Sequence, residues 1–315
     1  MHELVITRHN HLIDPILHFW EWQIPVYLFL GGLVAGMMII SGYFIFSGRT
    51  KNTQCSCFLI PMIALIGISL GMFALFLDLE HKWYVWRFYT TFELTSPMSW
   101  GSWILLLVYP LLILNAFTRL PDWFKVKFPK AETISARITG HPFVVKMIGV
   151  MSMIVGGLLG MYTGVLLSSF GARPAWNSSM LWILFLVSGL SSAAAFIHMV
   201  AREREERELL AKADNGFLVF ELFIFMLLLI GFLSSSQVHI DAAMLFISGP
   251  FAAVFWVFVI GIGIVIPLII QILAVNHKIN HTPVAPIMVM LGGLLLRFVI
   301  VSAGQYSTWP TIFFK

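Results

Sequence analysis

Eight apolar runs, each of about the length that crosses a bilayer core, dominate this sequence. They cover Trp20–Phe46, Phe58–Leu79, Ser99–Phe117, Val144–Leu167, Leu181–Val200, Phe217–Leu233, Met244–Ala274 and Val284–Ala303. With 59% apolar and 11% charged residues, the chain has too little polar side-chain surface to fold as a soluble globule, which averages about 25% charged. The runs predict an all-α polytopic membrane protein with eight transmembrane helices, arranged as two four-helix bundles. Residues 1–315 read as a single integral-membrane domain, since the longest gap is too short for a soluble domain of its own. The first run lacks a preceding basic cluster and reads as a retained helix rather than a cleaved leader.

Charge in the gaps sets the expected orientation. Arg49, Lys51, Arg119, Lys125, Lys127, Lys130, Arg137, Arg202, Arg204, Arg207, Lys212 and Lys278 fall on one side of the membrane. Only Arg8, Lys82, Arg87, Arg173 and Lys315 fall on the other. Positive loops stay inside, so both termini are expected outside, on the periplasmic side of a bacterial or archaeal cytoplasmic membrane. The formal charge of +4 is therefore a topology signal, and no nucleic-acid partner is implied. The run Arg202-Glu-Arg-Glu-Glu-Arg-Glu reads as a charged extension of the fifth span, a solvated turn or two on the inner side. The pairs Gly32/Gly36 and Gly67/Gly71 and the series Gly156/Gly160/Gly164 fit the small-xxx-small pattern of close helix contacts. The same glycines would also clear room for a flat ligand.

Ionisable residues at membrane depth are candidates for function. Most gather at the outer ends of the spans: His18, Glu21 and Trp22 at the first, Asp78, Glu80 and His81 at the second, and Tyr162 and Arg173 around the fourth. Each has a plainer reading as a headgroup anchor, a solvated cap or a belt tyrosine. Arg297 interrupts an apolar stretch and needs a carboxylate or carbonyl partner, for which Asp78 and Glu21 are the candidates. Glu221, near the inner side, reads either as part of a proton route or as a snorkelling acid. Cys55 and Cys57 are too few for an iron–sulfur cluster, which takes about four ligands, and read as structural thiols. The histidines sit at helix ends or in loops, so no haem is expected within the bundle.

Four sequence blocks carry a family resemblance. They are Trp22-Gln-Ile-Pro-Val-Tyr-Leu-Phe-Leu-Gly-Gly-Leu-Val-Ala-Gly, Leu77-Asp-Leu-Glu with Thr95-Ser-Pro-Met-Ser-Trp-Gly-Ser-Trp, Tyr162-Thr-Gly-Val-Leu-Leu-Ser with Ala172-Arg-Pro-Ala-Trp-Asn, and Gly292-Gly-Leu-Leu-Leu-Arg-Phe-Val-Ile-Val-Ser-Ala-Gly-Gln. Together they resemble the NrfD-like family, the membrane subunits of polysulfide-reductase-type enzymes, across most of the chain. Where that family carries an acidic-Gly-Arg-Pro run after the second helix, this sequence has Asp78-Leu-Glu-His-Lys-Trp.

The resemblance implies a subunit without haem, iron–sulfur cluster or other metal of its own. Such a subunit binds menaquinone or ubiquinone near the outer face. Its electrons pass to or from an iron–sulfur subunit docked there, linked to a molybdopterin enzyme or a multihaem cytochrome. Reducing a quinone adds two electrons and two protons, so the site needs hydrogen-bond donors, an apolar slot and titratable groups. His18, Glu21, Trp22, Asp78 and Tyr162 are the expected quinone-binding residues. Glu80, His81, Arg173, Glu221 and Arg297 are the expected support and proton relay, and Trp20, Trp22 and Trp83 a ring slot or docking edge. An ion or solute transporter and a non-redox assembly anchor remain the rival readings. A transporter would place its polar cluster near the midplane, whereas this sequence is expected to collect its own at one face.

Overall fold

The computed structural model describes residues 20–48, 59–120, 122–201, 203–276 and 282–307. His18, Cys55 and Cys57 lie outside them. Eight helices are long and apolar enough to cross a membrane, which makes the chain a multi-pass membrane protein. They are α1 (Gln23–Phe46), α2 (Leu59–Asp78), α4 (Pro97–Phe117), α7 (Pro142–Ser168), α8 (Leu181–Val200), α9 (Arg204–Leu233), α11 (Val254–Val275) and α12 (Val284–Tyr306). Short helices join them: α3 (Arg87–Thr90), α5 (Asp122–Lys127), α6 (Pro129–Thr139) and α10 (Gln237–Ile247). Lipid offers backbone groups no hydrogen bonds, so a spanning segment must satisfy its own, and the helix does this within one segment.

The spans pack as two four-helix bundles. In the first, α1 packs on α2 and α7, and α4 closes the ring between α2 and α7. In the second, α8 packs on α9 and α12, and α11 closes it against α9 and α12. The bundles join where α1 and α7 lie along α8, with α12 also touching α1. The α1–α8 crossing is tight enough to require glycine: a Cβ at Gly36 would lie 2.5 Å from the Gly189 carbonyl oxygen. Gly36 is therefore read correctly as a packing glycine.

Two features refine the spans read from the sequence. The seventh run, long enough to tilt or to include an interfacial turn, does the latter: α10 stops at Ile247, and the spanning helix begins at Val254. Pro250 has no N–H to continue the ladder and disfavours helical backbone in the residue before it. The Ser248 and Gly249 amides turn back onto the Met244 carbonyl. The first half of the spanning helix, Val254–Val265, is wound as a π-helix. Second, the charged run after Val200 does not extend the fifth span. Ala201 leaves helical geometry (φ −60°, ψ 131°), and Arg204 starts α9, with Glu205 and Glu206 in its first turn, where the helix dipole favours acids.

Candidate functional site

The start of α1 and the ends of α2 and α7 meet the start of α4 at one end of the first bundle. They enclose a hollow of about 180 Å³ with an open mouth. Its walls are largely apolar, with Trp20 and Ile24 from the α1 side, Met72 and Phe76 from α2, and Leu167 from α7. Asp78, Tyr27, Tyr89, Ser102 and Tyr162 bring the polar atoms.

The segment between α2 and α4 folds over this hollow, and the Ser-Pro-Met-Ser-Trp-Gly-Ser-Trp block holds it there. Ser99 Oγ accepts from the Glu93 amide at 3.0 Å, Trp100 Nε1 donates to the Leu94 carbonyl at 2.9 Å, and Ser102 Oγ donates to the Phe88 carbonyl at 2.7 Å. Gly101 contributes differently, because a Cβ there would fall on the phenol end of the Tyr162 ring. The glycine thus lets Tyr162 of α7 lie flat against the α4 backbone. Burial, and then the neighbouring Tyr109 phenol, push the Tyr89 pKa above its ordinary value.

Tyr27 is the residue that sequence reasoning missed. It is 2% exposed. Its polar neighbours are the Tyr162 and Tyr89 phenols. Its hydroxyl interacts with the Tyr162 phenol beside the hollow.

A second set of contacts ties the two ends of the chain together beside the hollow. Gln305 accepts from the Trp20 amide at 2.8 Å and donates to the Trp20 carbonyl at 3.0 Å. Arg173 donates to the carbonyls of Gln305 (2.8 Å) and Ser307 (3.3 Å). The Trp20 indole stacks on Trp176, centroids 5.2 Å apart. Trp176 Nε1 donates to the Ile300 carbonyl at 2.8 Å, and a Cβ at Gly304 would fall on its indole. Arg173 therefore braces the hollow's wall and is not among its lining residues.

The other candidates are placed as follows. Asp78 and Tyr162 line the hollow. Glu21 and Trp22 are exposed at the start of α1 and point away from it. Glu21 and Trp22 precede the helix, within which Ile24, Tyr27 and Leu28 share the inward face. Glu80 and His81 are exposed and border a separate shallow depression with Tyr84 and Arg87. Trp83 beside them is 91% exposed.

Arg297 does not join this end, and neither Asp78 nor Glu21 is its partner. It is fully buried in the second bundle. It donates to Ser188 Oγ at 2.6 Å and to the carbonyls of Gly293 and Phe185 at 3.0 and 3.1 Å. Its guanidinium also lies 5.0 Å from the Phe185 ring centroid. Glu221 is 4% exposed, too enclosed to snorkel, and interacts with Ser188 and Arg297.

Glu221 belongs to a larger polar row. Glu206, Asp214 and Glu221 lie about two turns apart on the buried face of α9, and span about 22 Å at 1.5 Å per residue. Asp214 accepts from Ser191 at 2.6 Å and from Gln271 at 2.6 Å. At the Glu206 end, burial lowers the Arg119 pKa against the pull of Glu203 and Glu206. The one-faced polar distribution expected from the sequence therefore describes only the first bundle. Among the described residues, no three His, Cys, Asp or Glu side chains are grouped as a metal site.

Comparison with known proteins gives a consistent result. Residues 9–308 match the family described as Polysulphide reductase, NrfD. The protein is 26% identical over 314 residues to Protein NrfD of Escherichia coli, covering 91% of this sequence and 95% of that one. It is 29% identical over 313 residues to the Protein NrfD homolog of Haemophilus influenzae, covering 91% and 95%. It is 28% identical over 306 residues to the C chain of polysulfide reductase from Wolinella succinogenes, covering 91% and 94%.

Proposed function

The chain belongs to the NrfD polysulphide reductase family, and from that premise we propose that it is the quinone-reactive membrane subunit of a respiratory oxidoreductase complex. It exchanges electrons between a membrane menaquinone or ubiquinone and a partner iron–sulfur subunit, itself linked to a molybdopterin enzyme or multihaem cytochrome. The observation that carries the reading is the hollow at the end of the first bundle. Its aromatic and aliphatic walls suit a flat ring, and its phenols and carboxyl suit polar oxygens at the ring edge. The Tyr27 ring adds an aromatic wall beside Tyr162.

A bound quinone supplies the two-electron, two-proton carrier, and the protein's side chains supply the rest. Tyr162, seated against Gly101, donates to one oxygen of the head group. His18, just ahead of the described residues, addresses the other oxygen. Trp20, fixed by Gln305 and Trp176, holds the ring plane. Asp78, partly exposed at the end of α2, takes up and releases protons at the rim. The folded segment between α2 and α4 keeps bulk water out. Glu21, Trp22, Glu80, His81 and Trp83, exposed at this same end, form the edge on which the iron–sulfur subunit docks. By the positive-inside count this end faces the periplasm.

The row Glu206, Asp214, Glu221 with Arg297 supplies the proton-translocating part of the reading. It gives acids and hydroxyls at successive turns across much of the second bundle. The same row is the observation that favours the rival reading of a transporter.

Titrating the purified protein in nanodiscs with 2,3-dimethyl-1,4-naphthoquinone tests the proposal through quenching of tryptophan emission. Saturable quenching, weakened in Tyr162→Phe and Asp78→Asn, is expected, together with co-purification of an iron–sulfur protein from native membranes. Absence of saturable binding overturns the reading, and ion flux through the isolated protein in quinone-free liposomes assigns it to transport instead.

A further inference from the structure

We infer that α6 lies flat in the membrane interface and seats the phosphate headgroups of anionic phospholipids on a basic stripe formed by Lys130 and Arg137.

The helices α5 and α6 join the end of α4 to the start of α7, so they sit at the opposite end of the first bundle from the hollow. The sequence gives α6 three distinct sides. At about 100° per residue, Lys130, Ile134 and Arg137 fall within about 60° of one another, and all three are exposed. Ala131, Ser135 and Ile138 form one flank. Ser135 is buried, and its Oγ donates to the Phe117 carbonyl at the end of α4 at 2.7 Å. That flank therefore faces the bundle, where α6 packs on α4 and α7. Glu132 and Thr139 are exposed on the side opposite the stripe.

With the bundle at its flank, α6 has one side left for the membrane and one for water. The acid and the hydroxyl suit water. The stripe sets an isoleucine between two cations, the arrangement of a helix lying in a charged interface. Apolar surface is uncovered at both ends of α6: Val126 of α5 is 85% exposed and Phe143 at the start of α7 75%. Such surface beside a spanning helix belongs among acyl chains, with the neighbouring cations reaching back to the headgroups. Charge selects the kind of lipid. Between Asp122 and Lys146 the sequence carries Lys125, Lys127, Lys130, Arg137 and Lys146 against Asp122 and Glu132. That excess favours a headgroup of net negative charge over a zwitterionic one. Arg137 can hold a phosphate through two parallel N–H donors, and Lys130 as a point charge.

The test titrates the full-length protein in neutral detergent with dioleoylphosphatidylglycerol or dioleoylphosphatidylcholine and counts bound lipid by native mass spectrometry. The wild type is expected to hold phosphatidylglycerol more tightly. A cation beside an anionic surface is worth about 5-fold in affinity, so Lys130→Gln/Arg137→Gln should weaken the tightest phosphatidylglycerol binding about 25-fold. Phosphatidylcholine binding should stay as it was, and Glu132→Gln should weaken neither. Depth is read separately by spin-label relaxation in phosphatidylglycerol nanodiscs, with nitroxides attached through Ile134→Cys or Glu132→Cys in a Cys55→Ser/Cys57→Ser background. The label at 134 should respond more to oxygen, and the label at 132 more to a water-soluble nickel chelate. This second measurement decides even where the double variant purifies poorly. Equal wild-type affinity for the two lipids overturns the inference, as does phosphatidylglycerol binding that survives the double substitution. Greater nickel access at 134 than at 132 also overturns it. Loss of a dimer in the double variant with lipid binding unchanged assigns the stripe to a second copy of the chain and overturns it as well.

Discussion

Gly101→Ala probes the geometry of the hollow more sharply than any substitution of a lining residue. The added methyl would occupy the space of the Tyr162 phenol, and the obstruction on the far side is α4 backbone. Either the ring swings out or α4 and α7 separate. Overpacking of this kind costs about 1–3 kcal/mol, and we expect about 2 kcal/mol from thermal or SDS-induced unfolding of the purified protein. A displaced phenol also removes one donor from the site. That is worth about 0.5–1.5 kcal/mol, or about 3- to 10-fold in affinity for the naphthoquinone probe. The partner control is Tyr162→Ala, which vacates the contested space. In that background Gly101→Ala should cost less than about 0.5 kcal/mol, because the clash is gone and the two substitutions, which touch, are non-additive. Equal cost in both backgrounds, or a Gly101→Ala variant that melts and binds like the wild type, refutes the seating of Tyr162 on Gly101.

Three further outcomes follow from other contacts. Gln305→Leu removes two hydrogen bonds to the Trp20 backbone and should cost about 2 kcal/mol, with a change in the stacked Trp20–Trp176 emission; an unchanged spectrum and melt would show the clamp to be idle. Arg297→Met strips the cation from Glu221 and Ser188 and should cost about 3 kcal/mol, part of it recovered in Arg297→Met/Glu221→Gln, and strictly additive unfolding energies would refute the coupling. Gly36→Val drives a branched side chain into the Gly189 carbonyl and should cost about 2–3 kcal/mol or more, read as loss of folded protein in SDS titration; wild-type resistance would refute the close crossing of α1 and α8.

What the sequence disclosed tracks what the bilayer enforces. A membrane demands about twenty apolar residues per crossing, so the eight spans and their order are plain in the text of the chain. The Gly249-Pro250 break is a turn dipeptide inside an apolar stretch long enough either to tilt or to include an interfacial turn, and length alone did not choose between them. Asp78 and Tyr162 were legible because ionisable or phenolic side chains stand out at span ends. Tyr27 was not, since a tyrosine within an apolar run looks like any packed aromatic, and its place beside the Tyr162 phenol follows from the packing of α1 on α7. Glu21 and Trp22 were legible as neighbours in sequence, but they lie just ahead of α1, exposed, where the helix no longer sets their direction. The polar row of α9 had a signal in the spacing of Glu206, Asp214 and Glu221. It was obscured because Glu206 fell in the charged run read as a solvated extension of the fifth span, and Asp214 lay ahead of the sixth apolar run. Arg297 announced its need for carbonyls and hydroxyls without saying which helices would provide them.

The grip of Gln305 on Trp20 joins positions 285 residues apart, and it has a meaning for biosynthesis. A ribosome reaches residue 305 only after every other membrane crossing has been made. Until then the indole that walls the hollow has nothing to hold it. The pocket is consequently a late product of translation: a polypeptide stopped short of its last helix can carry nearly all the lining side chains and still lack the fastening that shapes them. Premature termination near the end should thus yield inserted but ligand-blind protein, leaving the cell a simple mark by which finished subunits differ from unfinished ones.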